Sequence, residues 1–130
     1  MLPSITPHIS GIGAGPDPLA AFIDSLDRVA GLDGVRVVLP AHGHPFTDLS
    51  GRVKEIKEHH DQRLERLRGM VADAGEGTVT ELSHVLFRPR SWGPMAESET
   101  YAHLERLRLS GDVARRDAPD GSGYLYSLRS

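Results

Sequence analysis

The sequence predicts an α+β chain whose two ends differ in character. Three observations carry this. Residues 18–40 read as an amphipathic helix followed at once by an apolar run. Residues 48–74 hold one long helical stripe. The last third alternates short helices with a terminal pair of strands.

The elements run in chain order. Residues 1–17 carry three prolines and three glycines and read as loop, with a short extended piece at 4–9. In "DPLAAFIDSLDRVAGLDG" Asp17 suits the N-cap and Pro18 the first helical position. Leu19, Phe22, Ile23, Leu26, Val29 and Ala30 fall on one face, and Gly31 and Gly34 end the helix. "VRVVLP" (35–40) is expected to be a strand buried on both faces. Over 48–74 the stripe is Val53, Ile56, His60, Leu64, Leu67, Met70 and Val71, opposite a mixed-charge face, and "GEGT" ends the helix. A short helix at 79–87 is expected to be capped by Thr80. "RPRSWGPM" reads as a loop with Trp92 in a small core, or else as a cation-and-aromatic contact for substrate or single strands through Arg88, Arg90 and Trp92. A helix at 96–110 turns Tyr101, Leu104 and Leu107 inward. Asp120-Gly121 marks the turn of a final hairpin. Long helix, helix, helix, hairpin is the order of a winged helix-turn-helix module.

The totals narrow the function classes. At 130 residues the chain suits one ordinary domain or two small ones. The net charge of −3 argues against a strong electrostatic hold on nucleic acid or anionic membrane. There is no cysteine, which excludes disulfides and thiolate metal sites and suits a cytoplasmic protein. No secretory signal is legible, and no apolar run is long enough to span a membrane.

One stretch, "VVLPAHGHPF" (37–46), points to chemistry. An apolar run ends on Pro40-Ala41-His42-Gly43, which resembles the late metal-ligand motif of metallo-β-lactamase-fold hydrolases, a buried strand ending in Pro-Gly-His-Gly. "EIKEHHDQRLERL" resembles the next segment of the glyoxalase II-like subgroup, where a helix with a His and spaced Arg residues leads into a winged-helix domain. "LPSITPHIS" resembles the loop after that fold's Gly-Asp-His motif. The resemblance covers essentially the whole chain. It implies an αββα-layer remnant at 1–50, a connecting helix at 51–76 that opens the next domain, and a winged-helix domain at 77–130. It also implies metal-dependent, zinc-type hydrolysis in the intact enzyme, with a metal-bound hydroxide attacking an ester, thioester, lactam or phosphodiester.

The family's two-metal site uses a His-x-His-x-Asp-His motif, a further His, a bridging Asp and the late His. Only the late His maps here, onto His42; the bridging Asp would precede residue 1. A metal needs three or four protein ligands to stay bound. The expectation is therefore a C-terminal portion that is inactive alone and holds no metal stably. Whether this chain itself counts as an enzyme stays open. His44 reads as a loop residue. His59 and Arg63 lie four apart on one helix face and are assigned to an anionic substrate in the intact enzyme; His60 reads as a partly buried, hydrogen-bonded core residue. His8, His84 and His103 have no partner at ligand spacing. The expected partner is the remainder of the catalytic domain or a second copy of the chain, because helix 18–30 and strand 35–40 would otherwise expose apolar faces. Dimerisation, a larger assembly or poor order over 1–50 is expected on that ground. Sequence-specific DNA binding is not expected, since residues 77–130 carry seven acids and seven bases and Glu97 and Glu99 occupy the reading end of the second helix. The alternative is a stand-alone winged-helix module that binds a protein or nucleic acid.

Overall fold

A computed structural model describes Ile9 and residues 16–40 and 43–129. Its elements are α1 (Pro18–Ala30), α2 (Leu49–Ala74), β1 (Glu76–Thr78), α3 (Val79–Leu86), a 3-10 turn at Pro89–Ser91, α4 (Pro94–Leu109), β2 (Val113–Asp117) and β3 (Tyr124–Leu128). The strands form one antiparallel sheet in the order β1-β3-β2. The result is α+β: four helices and one small sheet among the described residues.

Helix α1 starts where the sequence places it. Pro18 takes the first turn, and the Asp17 carboxylate accepts from the Ala20 amide at 3.1 Å. Asp17 also accepts from the Arg106 guanidinium at 2.6 Å, so the cap doubles as an ion pair to α4. The apolar face of α1 is covered within this chain, contrary to the expectation that it would be bare. Leu26 packs with Leu49, Val53 and Ile56 of α2, while Leu19 packs with Ala102 of α4.

Helix α2 is capped by Asp48 and ends at Gly75, whose φ of +76° is left-handed and favours glycine. Its stripe serves two cores. Val53 and Ile56 meet α1, whereas Leu67 and Val71 join Leu82, Leu86, Leu104, Leu107, Val113 and Tyr126 beneath the sheet.

Two local expectations are corrected. Residues 35–40 form no strand: Val38 makes a single antiparallel bridge to Phe46, and Val37 and Leu39 stand 48% and 76% exposed. An apolar run is buried only where a sheet receives it, and none of the described strands lies beside this one. Thr78, not Thr80, caps α3. Its hydroxyl accepts from the Glu81 amide, and the Glu81 carboxylate accepts from the Thr78 amide, a reciprocal capping box. The segment before α3 is also β1, which pairs with β3 at Gly77↔Tyr126. A side chain at Gly77 would meet Leu82 at 3.2 Å, so this crossing of strand and helix is close and favours glycine.

Helix α4 begins two residues before the expected 96 and is buried on several sides. Leu104 and Leu107 point inward as expected and Tyr101 is half-buried, but Ser98, Glu99, Thr100, His103 and Glu105 are buried as well. Glu105 is held by Arg108 at 2.9 and 3.0 Å, Arg115 at 2.7 Å and the Tyr126 hydroxyl at 2.8 Å. Burial alone would raise the Glu105 pKa, but the hydrogen bonds from Arg108 and Tyr126 and the field of Arg115 outweigh it and hold the carboxyl below its usual range. Burial and the same carboxylate push the Tyr126 hydroxyl well above its ordinary value, so it stays a donor. Tyr126→Phe removes one hydrogen bond to a charged acceptor and leaves the packing intact. It should destabilise the fold by about 1.5–3 kcal/mol in urea unfolding; an unchanged midpoint would mean that the hydroxyl contributes nothing to joining α4 and β3.

Candidate functional site

The polar centre of the molecule lies between the middle of α2 and the first half of α4. His60 falls on the α2 stripe, so the periodicity that buries Ile56 and Leu67 buries it too. His103 lies one residue before Leu104 on the crowded helix α4. The two rings meet with His60 Nδ1 3.0 Å from His103 Nε2, and His103 Nδ1 lies 2.8 Å from the Glu99 carbonyl oxygen. Both residues are essentially without solvent access, at 1% and 0% exposed.

This chain of contacts assigns the protons. A carbonyl only accepts, so His103 Nδ1 carries a hydrogen and its Nε2 is a lone pair. His60 Nδ1 must then donate to that lone pair, which leaves His60 Nε2 bare. Nε2 is buried and has no hydrogen-bond partner among the described residues. Burial favours the neutral form of both rings. Burial, with the His103 ring and then His59 and Arg63 nearby, pushes His60 down to about 3. Burial also lowers His103, to about 4, against the upward pull of the Glu99 carbonyl.

Arg63 and Glu99 flank the pair. Arg63 Nη1 donates to Glu99 Oε1 at 2.7 Å, and its guanidinium lies 5.1 Å from the centre of the Phe87 ring. The Phe22 ring meets His60 edge-on from the α1 side. Ligand atoms of His60, Glu99 and His103 all lie within 4.8 Å of one another, a set able to hold a metal ion. A cavity of about 310 Å³, lined by residues including Asp24, His60, Asp61 and Arg106, opens beside His60.

The residues singled out from the sequence are placed as follows. His42 and His8 lie outside the described residues. His44 is exposed in the loop after Gly43. His59 is half-buried with its ring edge-on to His60, and burial together with Arg63 and Arg52 lowers its pKa. Arg63, expected beside His59 at a substrate, is engaged by Glu99. His103, expected to lack a partner, has one in His60; the signal was invisible along the chain because the two stand 43 residues apart. His84 stacks on Trp92 at 3.9 Å, and Trp92 donates to the Phe87 carbonyl while remaining 44% exposed, so it caps the loop instead of entering a core. Arg88 and Arg90 are exposed or nearly so. No described helix is long and apolar enough to cross a membrane.

Comparison with known proteins adds a structural likeness. No protein-family model and no curated protein matches the sequence. Solved structures do, two among them as follows. A β-lactamase domain protein from Burkholderia ambifaria is 31% identical, with a TM-score of 0.86 over 98% of this chain. A metallo-β-lactamase family protein from Thermus thermophilus is 42% identical, with a TM-score of 0.74 over 88% of this chain. These neighbours support the metallo-β-lactamase superfamily. The chain spans 38% and 35% of their respective lengths.

The buried pair makes the fold acid-sensitive. Unfolded, each histidine titrates near 6.5; folded, both stay neutral to about 4 or below. The unfolded chain therefore binds more protons between those values, and stability is complete above pH 6.5 and lost as pH falls. The loss should approach about 1.4 kcal/mol per pH unit for each histidine. Urea midpoints at about pH 7.5, 6 and 5 read this directly, and equal midpoints at all three would show that the rings are not held neutral.

Proposed function

We propose that this chain is the C-terminal portion of a metal-dependent, zinc-type hydrolase of the metallo-β-lactamase superfamily, of the glyoxalase II-like subgroup. In this reading residues 1–50 belong to the catalytic layer, 51–76 are the connecting helix and 77–130 are an accessory winged-helix domain. The observation that carries it is the likeness to the Burkholderia ambifaria structure over nearly the whole chain and little more than a third of its counterpart. The order of α2, β1, α3, α4 and the β2–β3 hairpin, with β3 central in the sheet, supports the winged-helix part.

The family's two-metal set does not fit the residues present. The sequence contains no His-x-His-x-Asp-His, and the stretch after Pro40 offers His42 and His44 without an acid beside them. No hydrolytic step is therefore assigned to this chain alone. Its contribution to an intact enzyme is His42 as one ligand, a wall built from α1 and α2, and His59 at the edge of that wall. The exposed residues Leu32, Val35, Val37 and Leu39 supply a face for the remainder of the catalytic domain.

A stand-alone winged-helix module is the second reading, favoured by the same element order. Against it, the N-terminal half of α4, the part of such a module that reads a groove, carries buried Ala96, Ser98, Glu99 and Thr100. The reading frame upstream of this chain separates the two. The hydrolase reading expects it to encode His-x-His-x-Asp-His, and expects the isolated chain to turn over no ester, thioester, lactam or phosphodiester. A frame without that motif, together with salt-sensitive binding to a generic oligonucleotide, would favour the module. Turnover by the isolated chain would show that the site is not incomplete.

A further inference from the structure

We propose that His60, Glu99 and His103 form a binding site for a divalent transition-metal ion, separate from His42, that clamps α2 to α4. The proposal does not rest on the hydrolase reading.

Glu99 and His103 stand one helical turn apart and share a face of α4, and His60 meets them from the middle of α2. Two imidazole nitrogens bound to one tetrahedral zinc lie about 3.4 Å apart, at metal–nitrogen distances of about 2.0–2.1 Å. The nitrogens of His60 and His103 already stand at 3.0 Å, so the rings need to part by only a few tenths of an ångström. The outer contacts are those of a metal-bound histidine. His103 donates its other ring N–H to the Glu99 backbone carbonyl, which fixes the tautomer and aims Nε2 at the site.

His60 supplies the second indication. As the chain stands, its Nε2 is buried without a partner, an arrangement that costs free energy. A metal bound at Nδ1 takes the place of the shared hydrogen. The displaced proton moves to the free lone pair of Nε2 on the same ring, so no net proton leaves. Because the two rings are neutral, the metal does not have to displace a proton from an imidazolium. The cavity beside His60 is lined by Asp24 and Asp61 and also by Arg106, whose charge is engaged by Asp17, so acids are in excess along a cation's approach. Two imidazoles and one carboxylate select zinc, cobalt or nickel over magnesium or calcium. Arg63 opposes the cation, since it already engages the Glu99 carboxylate, and this limits affinity. The expectation from the sequence that this chain holds no metal rested on His42 alone; these three residues come together only in the fold.

The test is equilibrium dialysis of the full chain against zinc chloride at about pH 7.5, where both rings are neutral, with His42→Ala, His60→Gln and His103→Gln beside it. The expected result is one zinc per chain, retained in His42→Ala and weakened about tenfold or more in both glutamine variants. No zinc in the unaltered chain, or zinc lost in His42→Ala and kept in His103→Gln, would overturn the proposal. Should the glutamine variants fail to fold, cobalt(II) titrated into the unaltered chain decides. Paramagnetic broadening should centre on the amides around His60 and His103; broadening centred on residues 42–44 would contradict the site. Neither outcome bears on whether the upstream frame carries the hydrolase motif.

Discussion

One hydrogen bond between two neutral imidazoles marks the point where helix α2 changes partners. Before His60 the α2 stripe meets α1 through Val53 and Ile56; after it, Leu67 and Val71 enter the core under the sheet. At the changeover the stripe faces α4, where the space is filled by polar groups. A buried polar group costs free energy unless it is satisfied. The contact between the rings and the Glu99 carbonyl satisfy both nitrogens of His103 and Nδ1 of His60, while His60 Nε2 stays without a partner among the described residues. The rest of the packing around α4 presupposes that arrangement.

Helix α4 is the hub because, besides Leu104 and Leu107 in the apolar core, it has charged or polar partners on α1, α2 and the hairpin. Asp17 at the start of α1 binds Arg106, Arg63 of α2 binds Glu99, and Glu105 gathers Arg108, Arg115 and the Tyr126 hydroxyl. These contacts give direction to a helix whose apolar stripe is weak. Breaking one partner of a buried pair is costlier than never having made it, since the other is left charged and desolvated. Specific orientation of α1 and the hairpin on α4 is the consequence.

The helices with separated faces were legible in the sequence. Leu19 to Ala30 and Val53 to Val71 repeat at helical spacing, and their caps, Asp17 and Asp48, stand immediately before the helices. The interior of α4 was not legible, because Ser98, Glu99, Thr100, His103 and Glu105 read as solvent-facing until their surroundings are known. Those surroundings are α2 and the hairpin. The capping of α3 was readable in principle: Thr78-x-x-Glu81 is a capping-box spacing that Thr80 lacks. The run at 35–40 misled for the opposite reason. Apolar residues predict burial, but burial needs a receiving surface, and Val38 bridges only to Phe46 among the described residues. Of the candidate site, His60 on the core stripe was legible and its pairing with His103 was not, since no periodicity links two residues so far apart.

Similarity to metallo-β-lactamase structures supports placing this chain in a superfamily named for metal centres, yet the polar centre described here is built wholly from α2 and α4. Its character depends on where two hydrogens sit. The most direct measurement is the set of ring nitrogen-15 chemical shifts of His60 and His103 in the full chain at neutral pH. The hydrogen-bond chain together with burial predicts two neutral rings, each with its hydrogen on Nδ1 and a lone pair on Nε2. An imidazolium at either position, or a hydrogen on Nε2 of His103, would contradict the hydrogen-bond chain on which this account stands.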